Sequence, residues 1–426
     1  MLDIQLIRDH PDQVLNGLKR KGVDSDVRAI LELDKQWRAM LLKTDTLRHE
    51  RNTVSKEISQ LAKQGKDFAD IRERMRQISE EIKSQENQLR ELENSIHEKM
   101  LWLPNLPHAS TPDGSSSEAN VEVRRWGEDL RSFDFPLKDH LELGKSLDIL
   151  DFPRGSKIAG SGFPLYKGLG ASLERALLNF MLDVQVKERG YREVFPPFLV
   201  NRDAMIGTGQ LPKLANDMYH CEVDDLFLIP TAEVPITNIH RDEILPEDRL
   251  PIRYAGFTAC FRREAGSYGK ETRGFLRVHQ FNKVELVKFV HPERSYQELE
   301  SLVTDAEHVL HKLEIPYRVM ELCAGDLSFA AAKCYDIEVW APGEKAWLEA
   351  SSCSNFEDFQ ARRLNIRFRG KEKKATDFVH TLNGSGLATS RLMVALLENY
   401  QTDEGTVAVP EVLRPYLGES MIGLPR

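Results

Sequence analysis

Phe261-Arg262-Arg263-Glu264 and, after a glycine-containing loop, Arg277-Val278-His279-Gln280-Phe281-Asn282-Lys283-Val284-Glu285 carry the densest chemistry of this chain. The run reads as two strands joined by a flexible loop. Strand side chains alternate between faces, so Arg262 and Glu264 share one face, and Arg277, Phe281 and Glu285 share one on the second strand. The other face carries Leu276, Val278, Val284 and Leu286, as a core side requires. One sheet surface then offers two guanidinium groups, two carboxylates and an aromatic ring. Charges of both signs around a ring suit a zwitterionic substrate beside a nucleotide. Exposed charge is commonly no more than a solvated face, so this reading depends on the rest of the chain.

Asn383-Gly384-Ser385-Gly386-Leu387-Ala388-Thr389-Ser390-Arg391 runs into an apolar helical stretch ending near Tyr400. Two glycines let a backbone bend or approach a ligand closely. Arg391 falls in the early helix, where amides and a guanidinium together favour an anion. The segment does not match G-x-x-x-x-G-K-[ST], so it is not a P-loop. Gly160-Ser161-Gly162 and Gly168-Leu169-Gly170 are poor dinucleotide fingerprints, having no clear βαβ context. Glu349-Ala350-Ser351-Ser352 reads equally as an ordinary strand carboxylate with its neighbours. Thr231-Ala232-Glu233 reads equally as a helix start with a first-turn carboxylate.

The elements that must position these residues follow from pattern. Helical segments near 140–150 and 168–189 precede short apolar strands. Ile337–Ala341 and Trp347–Ser352 face each other across Pro342-Gly343-Glu344, a hairpin signal. With strands near 257–264 and 275–290 they predict an antiparallel sheet. Strands and helices do not alternate strictly, so the fold class is α+β rather than doubly wound.

Upstream lies a different texture. Leu33, Trp37, Met40, Thr44, Leu47, Arg51, Val54, Ile58 and Leu61 follow a 4-3 spacing, and Ile71, Met75, Ile78, Ile82, Gln85, Leu89, Leu92 and Ile96 repeat it. That period is the seam of a left-handed coiled coil. The breaker around Gly65 predicts an antiparallel hairpin over about 31–100, roughly 40–45 Å long. Thr44, Arg51 and Gln85 are expected to weaken the seam midway. Residues 1–30 read as a small helical cap. A Pro-, Ser- and Gly-rich stretch from Pro104 to Ser117 marks a boundary. The expected organisation is therefore a helical domain over 1–103, a linker over 104–120 and a sheet domain over 121–426.

Composition sets bounds. A chain of 426 residues, 41% hydrophobic and 29% charged, can bury a large core and is globular in character. A net charge of −9 argues against coating nucleic acid through bulk charge, though not against a local basic surface. From Arg48 to Arg76 there are eight Lys/Arg against five Asp/Glu, so the outer half of the arm is mildly basic. No apolar run approaches a membrane span, and no secretory signal is visible at the N-terminus. Five cysteines, at 221, 260, 323, 334 and 353, include no C-x-x-C pair. They point to reduced thiols in a cytoplasmic protein, with no zinc site expected.

Taken together, the motifs resemble a known family. Gly190-Tyr191-Arg192-Glu193-Val194-Phe195-Pro196-Pro197, Arg262-Arg263-Glu264 with its loop, and Gly384-Ser385-Gly386 with Arg391 resemble the three signature motifs of class II aminoacyl-tRNA synthetases. The helical arm, Thr231-Ala232-Glu233 and Glu349-Ala350-Ser351-Ser352 narrow the resemblance to bacterial-type seryl-tRNA synthetases, over essentially the whole chain. The resemblance implies that serine attacks the α-phosphate of ATP, giving seryl-adenylate and pyrophosphate, and that serine then passes to tRNA-Ser. Members also charge selenocysteine tRNA where one exists. It implies catalytic roles for Arg262 and Arg391. Arg262 would hold the serine carboxylate and the α-phosphate, and Glu264 would accept from the adenine amino group. Phe281 and Arg391 would sandwich adenine, and Arg277 would meet the distal phosphates. Arg263, Val278, Ala350 and Ser351 complete the implied ATP set. Glu349 and Ser352 would hold Mg²⁺, a hard ion suited to oxygen ligands. Thr231, Ala232 and Glu233 would meet the serine ammonium end. Glu285 and Ser385 would bond its hydroxyl, with Asn383 nearby.

The same resemblance implies a homodimer through the first motif, no membrane association, and tRNA reached by the arm, with Arg48, Arg51, Lys56, Arg72 and Arg76 as candidate phosphate contacts. The loop Ala265–Gly274 would meet the acceptor end and order on binding. Two rivals stay open. One keeps the fold and loads a carrier protein instead of tRNA. The other is a coiled-coil scaffold with an inactive synthetase-like domain.

Overall fold

The computed structural model describes residues 1–265, 273–371 and 374–423. They form two compact units, one of Leu2–Lys19 with Val23–Pro104, the other of Met1, Arg20–Gly22 and Asn105–Arg426.

In the first unit, short helices Ile4–Asp9 and Pro11–Arg20 precede α1 (Val27–Lys63) and α2 (Ala69–Leu101). Asp26 caps α1 by accepting from Ala29 N. At 1.5 Å per residue α1 alone is roughly 55 Å long. It exceeds the expected length because the helix starts at Val27, before the heptad seam begins. The reversal is made at Gly65, whose φ of 65° lies in the left-handed region. Val54, Ile78 and Ile82 are buried in the seam, flanked by Leu47, Ile58, Ile71 and Met75. Thr44 and Gln85 do not leave a gap. Both are buried, and Thr44 Oγ1 bonds Gln85 Oε1 at 2.9 Å. A satisfied polar pair of this kind fixes register along an otherwise apolar seam. Arg48 is ion-paired with Asp45 and Glu86, and Arg76 with Glu73 and Glu80. Arg51, Lys56 and Arg72 make no ion pair among the described residues.

The second unit is built on an eight-stranded sheet. Its strands are β1 (Val121–Trp126), β2 (Arg192–Glu193), β3 (Ile252–Phe261), β4 (Gln280–Val290), β5 (Tyr317–Glu321), β6 (Lys333–Ala341), β7 (Ala346–Asn355) and β8 (His380–Ala388). Their order is β1-β5-β6-β7-β8-β4-β3-β2. Every pair is antiparallel except the edge pair β2–β3. The α+β class expected from sequence is the one found. The helices α3 (Gly168–Asp183), α4 (Ser295–Leu313) and α6 (Thr389–Asn399) bury their apolar sides with Val284, Leu286 and Val290 of β4 in one large core. By alternation, Val287 and Phe289 point the other way. They pack with Ala232, Ile236 and, from α5 (Phe359–Leu364), Ala361 and Leu364. α3 continues through a π-helical turn, Val184–Glu188, so the helical stretch expected over 168–189 is present.

The stretch after Pro104 behaves differently from a free linker. Asn105 Nδ2 donates to the carbonyls of Ala330 and Phe356 at 2.9 and 2.8 Å, and His108 N to that of Ala332 at 2.9 Å. Its composition marks a boundary, yet its polar groups tie it to the sheet unit.

Two strand ends differ from expectation. β3 stops at Phe261, paired with Gln280, so Arg262, Glu264 and Arg277 lie beyond the ladder. The backbone turns away there: Arg263 N donates to Asp217 O at 2.9 Å, and Glu264 takes a φ of 53°. The parity argument therefore holds for Phe281 and Glu285 but not for the three charged residues. Of the loop Ala265–Gly274, residues 266–272 lie outside the described residues.

Candidate active site

A cavity of about 680 Å³ opens on the face of β4, β7 and β8 opposite the large core. Arg262, Phe281 and Arg391 all line it, together with Glu264, Arg277, Val278 and Leu276. The Arg262 guanidinium carbon lies 5.2 Å from the centroid of the Phe281 ring. Arg277 Nε donates to Glu264 Oε2 at 2.5 Å. Glu264 is thus held in its left-handed conformation by an ion pair, a strained backbone of the kind retained where a side chain must be aimed. Arg391, the third residue of α6, donates to the Glu349 carbonyl at 2.9 Å and lies 3.1 Å from Glu349 Oε2.

Glu349, Ala350, Ser352 and Ser354 line the cavity from β7. Glu349 and Ser352 are three apart, a spacing that puts strand side chains on opposite faces. A bulge reconciles them: Ile337 pairs with Ser351 and Glu338 with Glu349, leaving Ala350 unpaired. Ser351 is consequently turned inward. It is buried, lines no part of the cavity, and donates to the Ser385 carbonyl at 2.6 Å. Its implied ATP contact is replaced by a role joining β7 to β8.

Asn383 and Ser385 line the cavity from β8. Gly384 and Gly386 lie within β8, whose pairing with β4 shifts register between Ser385 and Ala388. A Cβ on Gly384 would sit 2.8 Å from Cys353 Sγ, and one on Gly386 3.0 Å from Leu286 Cγ. Close packing against the core excludes any side chain there.

At the other end, Thr231 and Glu233 line the cavity, whereas Ala232 is buried in the second apolar cluster. Glu285 is fully buried and does not line it. Its carboxylate accepts from Thr231 Oγ1 at 2.6 Å and Asn383 Nδ2 at 3.0 Å, and it is ion-paired with Lys283. Glu285 thus sits beneath the floor and orients Thr231 and Asn383. Glu233 Oε1 accepts from Gln360 Nε2 at 2.6 Å, and Gln360 accepts from Thr381 Oγ1 at 2.8 Å. Burial, and then the nearby Glu285 carboxylate, push Glu233 up to about 7. Arg263 lies outside the cavity lining.

Among the residues of this site missed from sequence, Lys283 and Gln360 bear most on its chemistry. Lys283 lines the cavity and donates to Thr231 Oγ1 at 3.0 Å. The alternation that groups Phe281 with Glu285 also includes it, so the signal was present. Gln360, on α5, is distant in sequence from every motif and carried no signal.

Among the described residues, His140, Glu344 and Glu398 bring potential metal-binding atoms within 4.8 Å of one another. These groups are otherwise engaged. Glu398 accepts from the backbone of His140, Gly343 and Glu344 at 3.0, 2.8 and 3.0 Å, and Arg273 Nη2 lies 2.9 Å from Glu344 Oε1. A guanidinium already supplies the positive charge, and the cluster serves as a staple. All five cysteines are free thiols.

Comparison with known proteins identifies the family. Residues 1–107 match the family described as the seryl-tRNA synthetase N-terminal domain, and residues 219–400 the tRNA synthetase class II core domain (G, H, P, S and T). A serine--tRNA ligase of Chloroherpeton thalassium is 57% identical over 99% of this chain and 100% of its own. The crystal structure of seryl-tRNA synthetase from Pyrococcus horikoshii complexed with ATP has a TM-score of 0.92 at 39% identity, covering 100% of both chains. A cytoplasmic serine-tRNA ligase from Naegleria fowleri in complex with AMP has a TM-score of 0.87 at 31% identity, covering 100% of this chain and 99% of that one. Matched over 99% of its length at 57% identity, with both family domains present, the chain belongs to the seryl-tRNA synthetase family of class II aminoacyl-tRNA synthetases.

Proposed function

We propose that this chain is a serine–tRNA ligase: it condenses L-serine with ATP to seryl-adenylate and passes serine to tRNA-Ser, and to selenocysteine tRNA where one exists. The observation that carries the reading is the convergence of Arg262, Phe281 and Arg391 on one cavity, in a chain whose full length matches this family. Arg262 holds the serine carboxylate and the α-phosphate, and so stabilises the charge that develops between them. Phe281 and Arg391 take the two faces of adenine, Glu264 its amino group, and Arg277 the distal phosphates. Thr231 and Glu233 hold the serine ammonium. Ser385 and Asn383 meet its hydroxyl, with Glu285 supporting from below.

The residues present fit Mg²⁺. Glu349 and Ser352 offer a carboxylate and a hydroxyl on one cavity wall, brought to the same face by the bulge at Ala350, and an ion there would share the Glu349 carboxylate with its ion-pair partner Arg391. When bound, such an ion supplies charge neutralisation to the phosphates.

Residues 1–103 form the tRNA-binding domain in this reading, with Arg51, Lys56 and Arg72 better placed than the ion-paired Arg48 and Arg76 to meet phosphates. The protein acts in the cytoplasm. No helix among the described residues is long and apolar enough to cross a membrane. It acts as a homodimer, for which the open edge strand β2, with its exposed Arg192 and Glu193, and the adjoining Phe195, 71% exposed, provide a surface. Light scattering is expected to give twice the 48.7 kDa chain mass; a monomer mass at micromolar concentration would remove that assignment.

Transfer of labelled serine to purified tRNA-Ser tests the function. Charging of tRNA-Ser but not of a carrier protein is expected, and the reverse preference would favour the carrier-loading alternative.

The pH dependence of serine binding is a further expectation. An ammonium ligand requires Glu233 ionised, and its titration lies near 7 in the site. Serine affinity should therefore fall by up to about tenfold per pH unit below 7 and level off above 8, with proton release on binding at pH 6.5. Calorimetry in two buffers of different ionisation enthalpy checks this. Binding independent of pH from 6 to 8, or an unchanged profile in Glu233→Gln, would contradict it.

A further inference from the structure

Glu174 lies on α3, behind the sheet and outside the cavity lining, with only 6% of its surface exposed. A carboxyl so placed needs a reason, because burying its charge is costly. Its contacts are one-sided. Oε1 lies 2.6 Å from Thr389 Oγ1 and 2.8 Å from Asn282 Nδ2, whereas Oε2 has no hydrogen-bond partner. Thr389 Oγ1 lies 3.0 Å from the Asn282 carbonyl oxygen, and the Tyr166 hydroxyl also bonds Thr389.

Thr389 Oγ1 and Asn282 Nδ2 both donate to Glu174 Oε1, so a single carboxyl oxygen gathers one side chain of α6 and one of β4. Burial raises the pKa of Glu174 above its ordinary value.

The two partners of Glu174 matter because of their neighbours. Asn282 follows Phe281 on β4 and, by alternation, points to the helix side while Phe281 points into the cavity. Thr389 is the first residue of α6, two before Arg391. One buried carboxyl therefore ties the strand that carries the Phe281 ring to the helix that carries the Arg391 guanidinium. We infer that Glu174 is a positioning residue for nucleotide binding, which sets the separation of Phe281 and Arg391 from behind the sheet. The inference rests on the proposed placement of adenine between those two residues.

Steady-state pyrophosphate exchange with Glu174→Gln, Glu174→Leu and Thr389→Val tests it. A glutamine oxygen can accept from both Thr389 and Asn282, so Glu174→Gln should keep KM for ATP within about twofold of the parent. Glu174→Leu should raise KM for ATP about tenfold while KM for serine stays within about threefold. Thr389→Val cuts the same link with little change in volume and should give the same split; it decides the matter if the leucine variant does not fold. In an Arg391→Ala background, either substitution should add little, because it acts through Arg391. Equal changes in both KM values, no change in either, or a glutamine variant as impaired as the leucine one would overturn the inference. Arg391→Ala alone separates the two levels. If it leaves KM for ATP unchanged, the adenine placement falls and the inference with it. If it raises KM for ATP while Glu174→Leu and Thr389→Val do not, only the role of Glu174 falls.

Discussion

Replacing Arg262 by alanine is expected to reduce single-turnover formation of seryl-adenylate by at least about a thousandfold, with the folded structure retained. The guanidinium lines the cavity beside Phe281 and makes one modest bond, from Nε to the Pro230 carbonyl at 3.3 Å. Little of the fold depends on it, so the loss should appear in the reaction rather than in stability. Its planar fork can bridge a carboxylate and a phosphate, which a lysine point charge cannot reproduce. Arg262→Lys should therefore remain severely impaired. Adenylate formation within tenfold of the parent in Arg262→Ala would remove Arg262 from the reacting centre.

Removing residues 36–98 and bridging the gap with a short glycine linker should leave serine-dependent adenylation within about threefold of the parent while abolishing tRNA-Ser charging. Every residue lining the cavity belongs to the unit containing Asn105–Arg426, and the excised segment belongs to the other unit. α1 and α2 bury a narrow apolar seam against each other, with Val54, Ile78 and Ile82 in a cluster of their own. The protein loses its mildly basic extension and with it the proposed contact to the tRNA backbone. Charging at full efficiency by the shortened chain would refute a role for the arm in tRNA recognition.

How far the sequence spoke depended on whether a signal was periodic or three-dimensional. The heptads located both arm helices, and the hairpin across Pro342-Gly343-Glu344 is present as β6 and β7. Thr44 and Gln85 looked like defects one at a time, since only pairing across the hairpin shows that each satisfies the other. Alternation grouped Phe281 with Glu285 correctly. It reached the right neighbours for Arg262 and Glu264 by a wrong route, because the ladder ends at Phe261 and a turn, rather than strand parity, brings them to the cavity. The bulge at Ala350 was invisible for a related reason. It depends on the register of β6 against β7, which no local pattern encodes, and it decides that Ser352 faces the cavity and Ser351 the core. Gln360 and Glu174 act through hydrogen bonds to residues 127 and 215 positions away, respectively. Only the folded chain reveals such partners.

The most direct test of the central claim is amino-acid-dependent exchange of pyrophosphate into ATP by the full chain in the presence of Mg²⁺. Serine should support strong exchange, and alanine should support it about 10⁴-fold less efficiently, because it leaves the hydroxyl's partners unpaired. Threonine should also be a poor substrate. Absence of serine-dependent exchange in correctly folded protein, or exchange as efficient with alanine as with serine, would contradict the account.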